Sequence, residues 1–211
     1  MKLYDCSVAP NPRRARIFLA EKDISLEKIE IDILGGENLA PAFLAINPRG
    51  LLPVLELDDG TRIDEVMAIC RYFEEQQPQP ALLGRDARER ALVTSRQRKM
   101  EFDGMIAASE VFRNQHPQFA QRSLPGAGTD VLPAIPALVE RGRQTLARFF
   151  DWLEIYLGES AYVAGDAFTM ADITALCAID FAGWVDITIP AANGRTRAWY
   201  EGVSARPSAR A

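Results

Sequence analysis

The stretch Asn47-Pro48-Arg49-Gly50-Leu51-Leu52-Pro53-Val54-Leu55 decides how the first third of this chain is read. It opens on turn-forming residues and passes into an apolar run, Leu52 to Leu57, that reads as a strand. Asp58-Asp59-Gly60 then supplies a hairpin turn into a second strand, Thr61-Arg62-Ile63. Toward the N-terminus, Glu27 to Ile31 alternates polar and apolar residues as a half-buried strand does, and Lys2 to Asp5 reads as another short strand. Between them, Asn11 is a candidate N-cap, with Pro12 at the first helical position and Ala15, Phe18 and Leu19 as an inward stripe. Gly35-Gly36 marks a turn before a short helix over Leu39 to Leu44. Past the hairpin, Met67, Ile69, Cys70 and Phe73 place a helix from about Glu65 to Glu75. The order is β-α-β-α-β-β-α.

Gln76-Gln77-Pro78-Gln79-Pro80 interrupts this pattern, and no strand signal returns after it. The chain therefore divides into a first domain over 1–76, a linker over 77–86 and a helical domain over 87–211. Phe102, Met105, Ile106, Ser109 and Phe112 keep helical spacing in a long segment from near Asp86 to Pro117. Ser123 to Pro136, with its glycines and prolines, reads as a loop, and Val139 to Leu157 as a second long helix. Phe168-Thr169-Met170-Ala171-Asp172-Ile173 offers a threonine N-cap with an acid three residues on, a capping box before a helix apolar nearly all round. Asp172 is thus assigned a structural role.

The 211 residues carry a formal charge of −5, with 24 Lys and Arg against 29 Asp and Glu. No window supplies the basic face that neutralising a nucleic-acid backbone requires. The arginines of Arg13-Arg14-Ala15-Arg16 and of Arg85 to Arg98 read as solvated helix faces, a dimer contact being the alternative. No apolar run is long enough to span a bilayer, and Met1-Lys2-Leu3-Tyr4-Asp5 has neither an apolar h-region nor a cleavage site, so no secretory signal is expected. Three distant cysteines, Cys6, Cys70 and Cys177, read as free thiols in a reducing compartment, so the expected address is cytoplasmic. A single histidine, His116, argues against a metal site.

Four segments, in this order and at these separations, make the chain resemble the glutathione transferase family. They are Arg13 to Lys22, Asn47 to Leu55, Glu65 with Ala68-Ile69, and Ala164-Gly165-Asp166 through Asp172-Ile173. The resemblance implies an α/β thioredoxin-like N-terminal domain, an all-α C-terminal domain and a homodimer. It implies glutathione as co-substrate, with no metal and no partner of nucleic-acid or membrane type. It makes Leu52-Pro53 a cis peptide and sets the Leu52 backbone against an extended peptide ligand, which pairs with it like an added strand. Glu65 and Val66 fall at the start of the third helix, where free N–H groups and the positive dipole end suit the γ-glutamyl carboxylate. The loop Val8-Ala9-Pro10-Asn11 brings the chain to the first helix, whose N-terminus favours a bound thiolate.

Three positions depart from the family pattern. Ala9 stands where many members carry a serine or cysteine. Val66 replaces the serine of a common Glu-Ser pair, and Leu51 a polar residue found in some classes. Thiol activation then falls to other groups. The Asn11 amide can donate to sulfur or act as the helix N-cap. Tyr4 and Ser7 are nearby hydroxyls, with core packing the alternative for Tyr4. Cys6 reads as a buried thiol. His116 can polarise a water or sit as a surface residue at a helix C-terminus. Arg113 and Asn114, with Ala9, are candidates for lining the second-substrate pocket. The reading is transfer of an alkyl or aryl group from a small apolar electrophile to glutathione. The alternatives are a non-catalytic binding or dimerisation protein and a glutathione-dependent peroxidase.

Overall fold

Two neighbouring residues of the first strand face opposite ways and so set the layers of the first domain. Leu3 of β1 (Lys2–Asp5) joins the main core with Leu55, while Tyr4 joins a smaller cluster with Val54, Cys6 and Phe43. β1 runs parallel to β2 (Glu27–Glu30) and antiparallel to β3 (Val54–Glu56), which pairs antiparallel with β4 (Arg62–Asp64). The sheet order is β2-β1-β3-β4. A parallel pair needs a crossover, supplied by α1 (Pro10–Glu21). α1 packs with α3 (Val66–Gln76) on the Leu3 face, and the short α2 (Pro41–Leu44) puts Phe43 on the other.

The computed structural model describes all residues, Met1–Ala211. After α3 ends at Gln76, no regular element begins until α4 (Ala87–Lys99), capped by Asp86, which accepts from the Glu89 N–H. The intervening segment is pinned to the first domain by Lys22, whose Nζ donates to the carbonyls of Gln77 and Pro80. α4 continues through a π-helical stretch, Met100–Ile106, into α5 (Ala107–Gln115). α6 (Pro136–Glu159) packs against α5. α7 (Met170–Gly183) is buried along its length apart from Asp180 and Gly183. It meets α1 on one side and the second domain's helices on the others, so one apolar core runs through both domains. α8 (Gly194–Ser204) and a final 3₁₀ turn, Pro207–Arg210, close the chain.

Thr169 and Asp172 form the capping box read from the sequence. Two other expectations change. α1 starts at Pro10, with Ala9 as its N-cap and no side-chain cap bond, so Asn11 lies inside the helix. Either proline suits a first-turn position, and the chain uses the earlier one. The arginines of α1 are not a solvated face: Arg14 is 1% exposed and Arg16 6%. Burial between the sheet and α7 leaves each needing an acid: Arg13 pairs with Asp180, Arg14 with Glu101 and Arg16 with Asp5.

Candidate functional site

The turn before β3 is built by two asparagines. Asn47 Nδ2 donates to the Leu51 carbonyl at 3.0 Å while its Oδ1 accepts from the Arg49 N–H at 3.1 Å. Asn38 Nδ2 donates to the Gly50 carbonyl at 2.8 Å, and Gly50 itself holds φ +63°, where a side chain would meet Leu39 and the Asn38 backbone. This framework delivers Leu52 and Pro53 to the wall of a cleft, joined by a cis peptide bond. The Leu52 N–H and C=O make no hydrogen bond within the chain. An extended peptide laid here finds one donor and one acceptor at strand spacing.

The facing wall is the start of α3. Glu65 sits at φ 65°, ψ 124°, a strained backbone for a residue with a side chain, directly before the helix. No side chain caps α3, no acid occupies its first turn, and the Val66 and Met67 N–H groups have no partner in the chain. Unused donors at the positive end of a helix dipole suit a carboxylate. The Glu65 carboxylate is exposed and pairs with Arg49 at 3.5 Å, so it leaves that position open.

Asn11, Arg14 and Glu101 form the third side. Pro10 and Pro12 have no N–H, and the Arg13 N–H is taken by the Ala9 carbonyl at 3.2 Å. Asn11 therefore carries the free backbone donor of this helix end, and its side-chain Nδ2 adds two more N–H hydrogens. Its Oδ1 accepts from Arg14 Nη1 at 3.0 Å.

The rival hydroxyls and thiols point elsewhere. Tyr4 Oη donates to Glu56 at 3.2 Å, and Ser7 gives both its N–H and Oγ to Glu30. Burial pushes the Cys6 thiol up, Cys70 to about 12 and Cys177 to about 11, so none is a thiolate near neutrality. Ala9 presents only a methyl group, half-buried against the small Tyr4 cluster.

The remaining candidates lie outside this cleft. His116 caps the end of α5, and its Nδ1 accepts from the Gln118 N–H at 3.3 Å. Its ring packs against Phe112 and Phe119, and Phe112 also meets Phe181 and the half-exposed Trp184. Arg113 gives Nε to the Ser123 carbonyl and Nη2 to the Arg122 carbonyl, lying over Phe119 at 4.5 Å. Burial and the nearby Arg122 lower its guanidinium to about 10. Asn114 is used at both ends, donating to Glu110 O and accepting from the Ile135 N–H at 2.8 Å each. Arg113 and Asn114 thus hold the loop before α6. Sequence reasoning missed the parts played by Arg14 and Glu101, which only the packing of α1 against the second domain brings together, and by Asn38, whose hydrogen bond to Gly50 inside the first domain has no local signal.

Comparison with known proteins places the fold in a family. The glutathione S-transferase N-terminal domain profile matches residues 3–81, and the C-terminal domain profile matches residues 108–207. Glutathione S-transferase 2 of Saccharomyces cerevisiae is 35% identical over 211 residues, covering 99% of this chain and 87% of the relative. The crystal structure of Gtt2 from Saccharomyces cerevisiae superposes with a TM-score of 0.90 at 34% identity, covering 99% and 98% of the two chains. A glutathione S-transferase domain-containing protein from Marinobacter aquaeolei VT8 superposes with a TM-score of 0.87 at 35% identity, covering 99% of each.

Proposed function

The chain belongs to the glutathione S-transferase family, and from that premise we propose that it is a transferase joining the sulfur of glutathione to a small apolar electrophile, with Asn11 stabilising the thiolate. The observation that carries this reading is the free Asn11 amide at the α1 N-terminus. It shares one cleft with the unpaired Leu52 backbone and the open start of α3.

Three parts of glutathione have a complement. The γ-glutamyl carboxylate takes the Val66 and Met67 N–H groups, and the cysteinyl backbone pairs with Leu52. The sulfur then faces Asn11. Donors aimed at sulfur, and the positive end of α1, favour thiolate over thiol, and the thiol proton leaves to solvent water. The thiolate attacks the electrophilic carbon: a C–S bond forms, the bond to the leaving group breaks, and the leaving group departs with that electron pair. Holding both reactants in one cleft supplies the rest of the rate gain.

The electrophile's place is the aromatic group around Phe112. Arg13 pins the start of α1 to Asp180, and the adjoining Phe181 and Trp184, at the end of α7, pack on Phe112, whose ring also meets His116. Phe102 and Ile106, both large, apolar and about half exposed, support a homodimer contact for a cytoplasmic enzyme.

The test is conjugation of glutathione to an activated aryl chloride, followed by thioether absorbance and chloride release. The reading expects turnover, and about a tenfold fall in kcat/KM at neutral pH for Asn11→Ala, the equivalent of about one unit in the thiol pKa. Glutathione binding without turnover of any aryl or alkyl halide would identify a non-catalytic binding protein instead.

A further inference from the structure

Arg14 is an expensive residue for its place. Its side chain is 1% exposed, and its Nε and Nη2 are buried with no hydrogen-bond partner. A buried guanidinium with unpaired N–H groups costs more than an apolar side chain of similar volume. Its one paired nitrogen, Nη1, is shared: it reaches Asn11 Oδ1 at 3.0 Å and Glu101 Oε1 at 3.0 Å.

We propose that Arg14 and Glu101 form a positioning pair that orients the Asn11 amide toward the glutathione sulfur, so that the second domain sets thiol activation in the first. The proposal rests on the reading of Asn11 given above.

A guanidinium has donors and no acceptor. The Asn11 atom facing it is therefore the carbonyl oxygen, and the NH₂ group is forced to the opposite side. Without Arg14 the amide can turn over, presenting an oxygen that repels a thiolate. Glu101 in turn fixes Arg14. It lies in the π-helical stretch, where the altered turn redirects side chains relative to an α-helix. Its Oε2 is held by Arg98 at 2.6 Å and by Gln97 at 3.2 Å, which leaves Oε1 for Arg14. Burial pushes the Glu101 carboxyl up, and Arg14, Gln97 and Arg98 outweigh it to hold the group below its ordinary value. The other ionisable groups nearby are Asp64 and Glu65 on the cleft wall, and the buried thiols of Cys70 and Cys177 behind it.

The experiment is the acid limb of the kcat/KM profile for the aryl-chloride reaction in four proteins: wild type, Asn11→Ala, Arg14→Met and the double variant. Loss of orientation predicts that Arg14→Met moves the limb upward by as much as Asn11→Ala, with about tenfold lower kcat/KM at neutral pH. The double variant should be no worse than Asn11→Ala alone, because both remove one interaction. A limb unmoved by Arg14→Met while Asn11→Ala moves it, or two shifts that add, would overturn the proposal and leave the Asn11 reading intact. A limb unmoved by Asn11→Ala would overturn the reading itself. Glu101→Gln covers a failure of Arg14→Met to fold. It keeps the size of the side chain, and the proposal expects an upward move. An unmoved limb, or a downward one caused by an uncompensated Arg14 charge acting directly on sulfur, would overturn it.

Discussion

Arg206 grips Glu21 with two N–H donors, Nε to Oε1 at 2.8 Å and Nη2 to Oε2 at 2.7 Å, and so ties the last turns of the chain to the end of α1. Ser208 Oγ bonds the same carboxylate, and Arg13 Nη2 donates to the Ala209 carbonyl at 3.0 Å. The helix that carries the proposed thiol donor is thereby held at its far end by the C-terminal segment.

This tie should open in acid. Burial pushes the Glu21 carboxyl up, but Arg206 and Ser208 outweigh it and hold the group below its ordinary value. A depressed folded-state pKa gives stability that is present above the unfolded value of about 4.3 and is lost as pH falls through the lower folded value. Amide exchange over residues 204–211 should accelerate in that window in the wild type. In Glu21→Gln it should already be fast at pH 7. Protection that does not change with acid would contradict the assignment.

Asp172 accepts four hydrogen bonds, from the Val163 and Thr169 N–H groups, Thr169 Oγ1 and Trp199 Nε1, all between 2.9 and 3.0 Å. Asp172→Ala leaves these donors buried and unpaired, so denaturant unfolding should show a loss of about 2–4 kcal/mol. Burial pushes the Asp172 carboxyl up to about 6, against the pull of its donors. A raised value favours the fold below the unfolded pKa of about 3.9, and that contribution disappears as pH rises through about 6. Asp172→Asn should remove this step from the stability profile.

A β-carbon added at Gly104 would lie 2.7 Å from Ala178 Cβ and 2.9 Å from the Phe149 ring. Alanine is about 1 kcal/mol better than glycine in a helix, yet overpacking costs about 1–3 kcal/mol. Both neighbours are fully buried and have nowhere to move, so the clash should win. Gly104→Ala is expected to lower the melting temperature, and a rise would show that the helix contact is looser than drawn.

His116→Ala removes a ring from the aromatic group while leaving Leu52, Val66 and Asn11 in place. KM for the aryl electrophile should rise several-fold with glutathione affinity unchanged. A change in the acid limb of kcat/KM instead would give His116 the part in thiol activation considered for it from the sequence.

The sequence displays the parts of the fold that depend on local signals. Asp58-Asp59-Gly60 announces the β3–β4 hairpin, the linker prolines mark where strands stop, and Thr169 with Asp172 marks the start of the buried helix. Leu52, Pro53, Glu65 and Val66, named through the family resemblance, do line one cleft. The sequence places the α1 N-cap at Asn11 with Pro12 next, but Pro10 satisfies the same first-turn preference, and a start there frees Asn11 from capping. Arg14 looked solvated because its partner, Glu101, is 87 residues away and meets it only when the domains pack. The strained Glu65 backbone and the π-helical stretch have no local signature in residue type.

The central claim is that this cleft binds glutathione and lowers its thiol pKa through Asn11. Ultraviolet difference titration of bound glutathione against pH measures that directly, with calorimetric affinity on the same sample. The account predicts saturable binding and a bound-thiol pKa at least about one unit below that of free glutathione, worth about 1.4 kcal/mol of thiolate stabilisation, with most of the shift lost in Asn11→Ala. Binding with an unshifted thiol, or no binding at all, would contradict it.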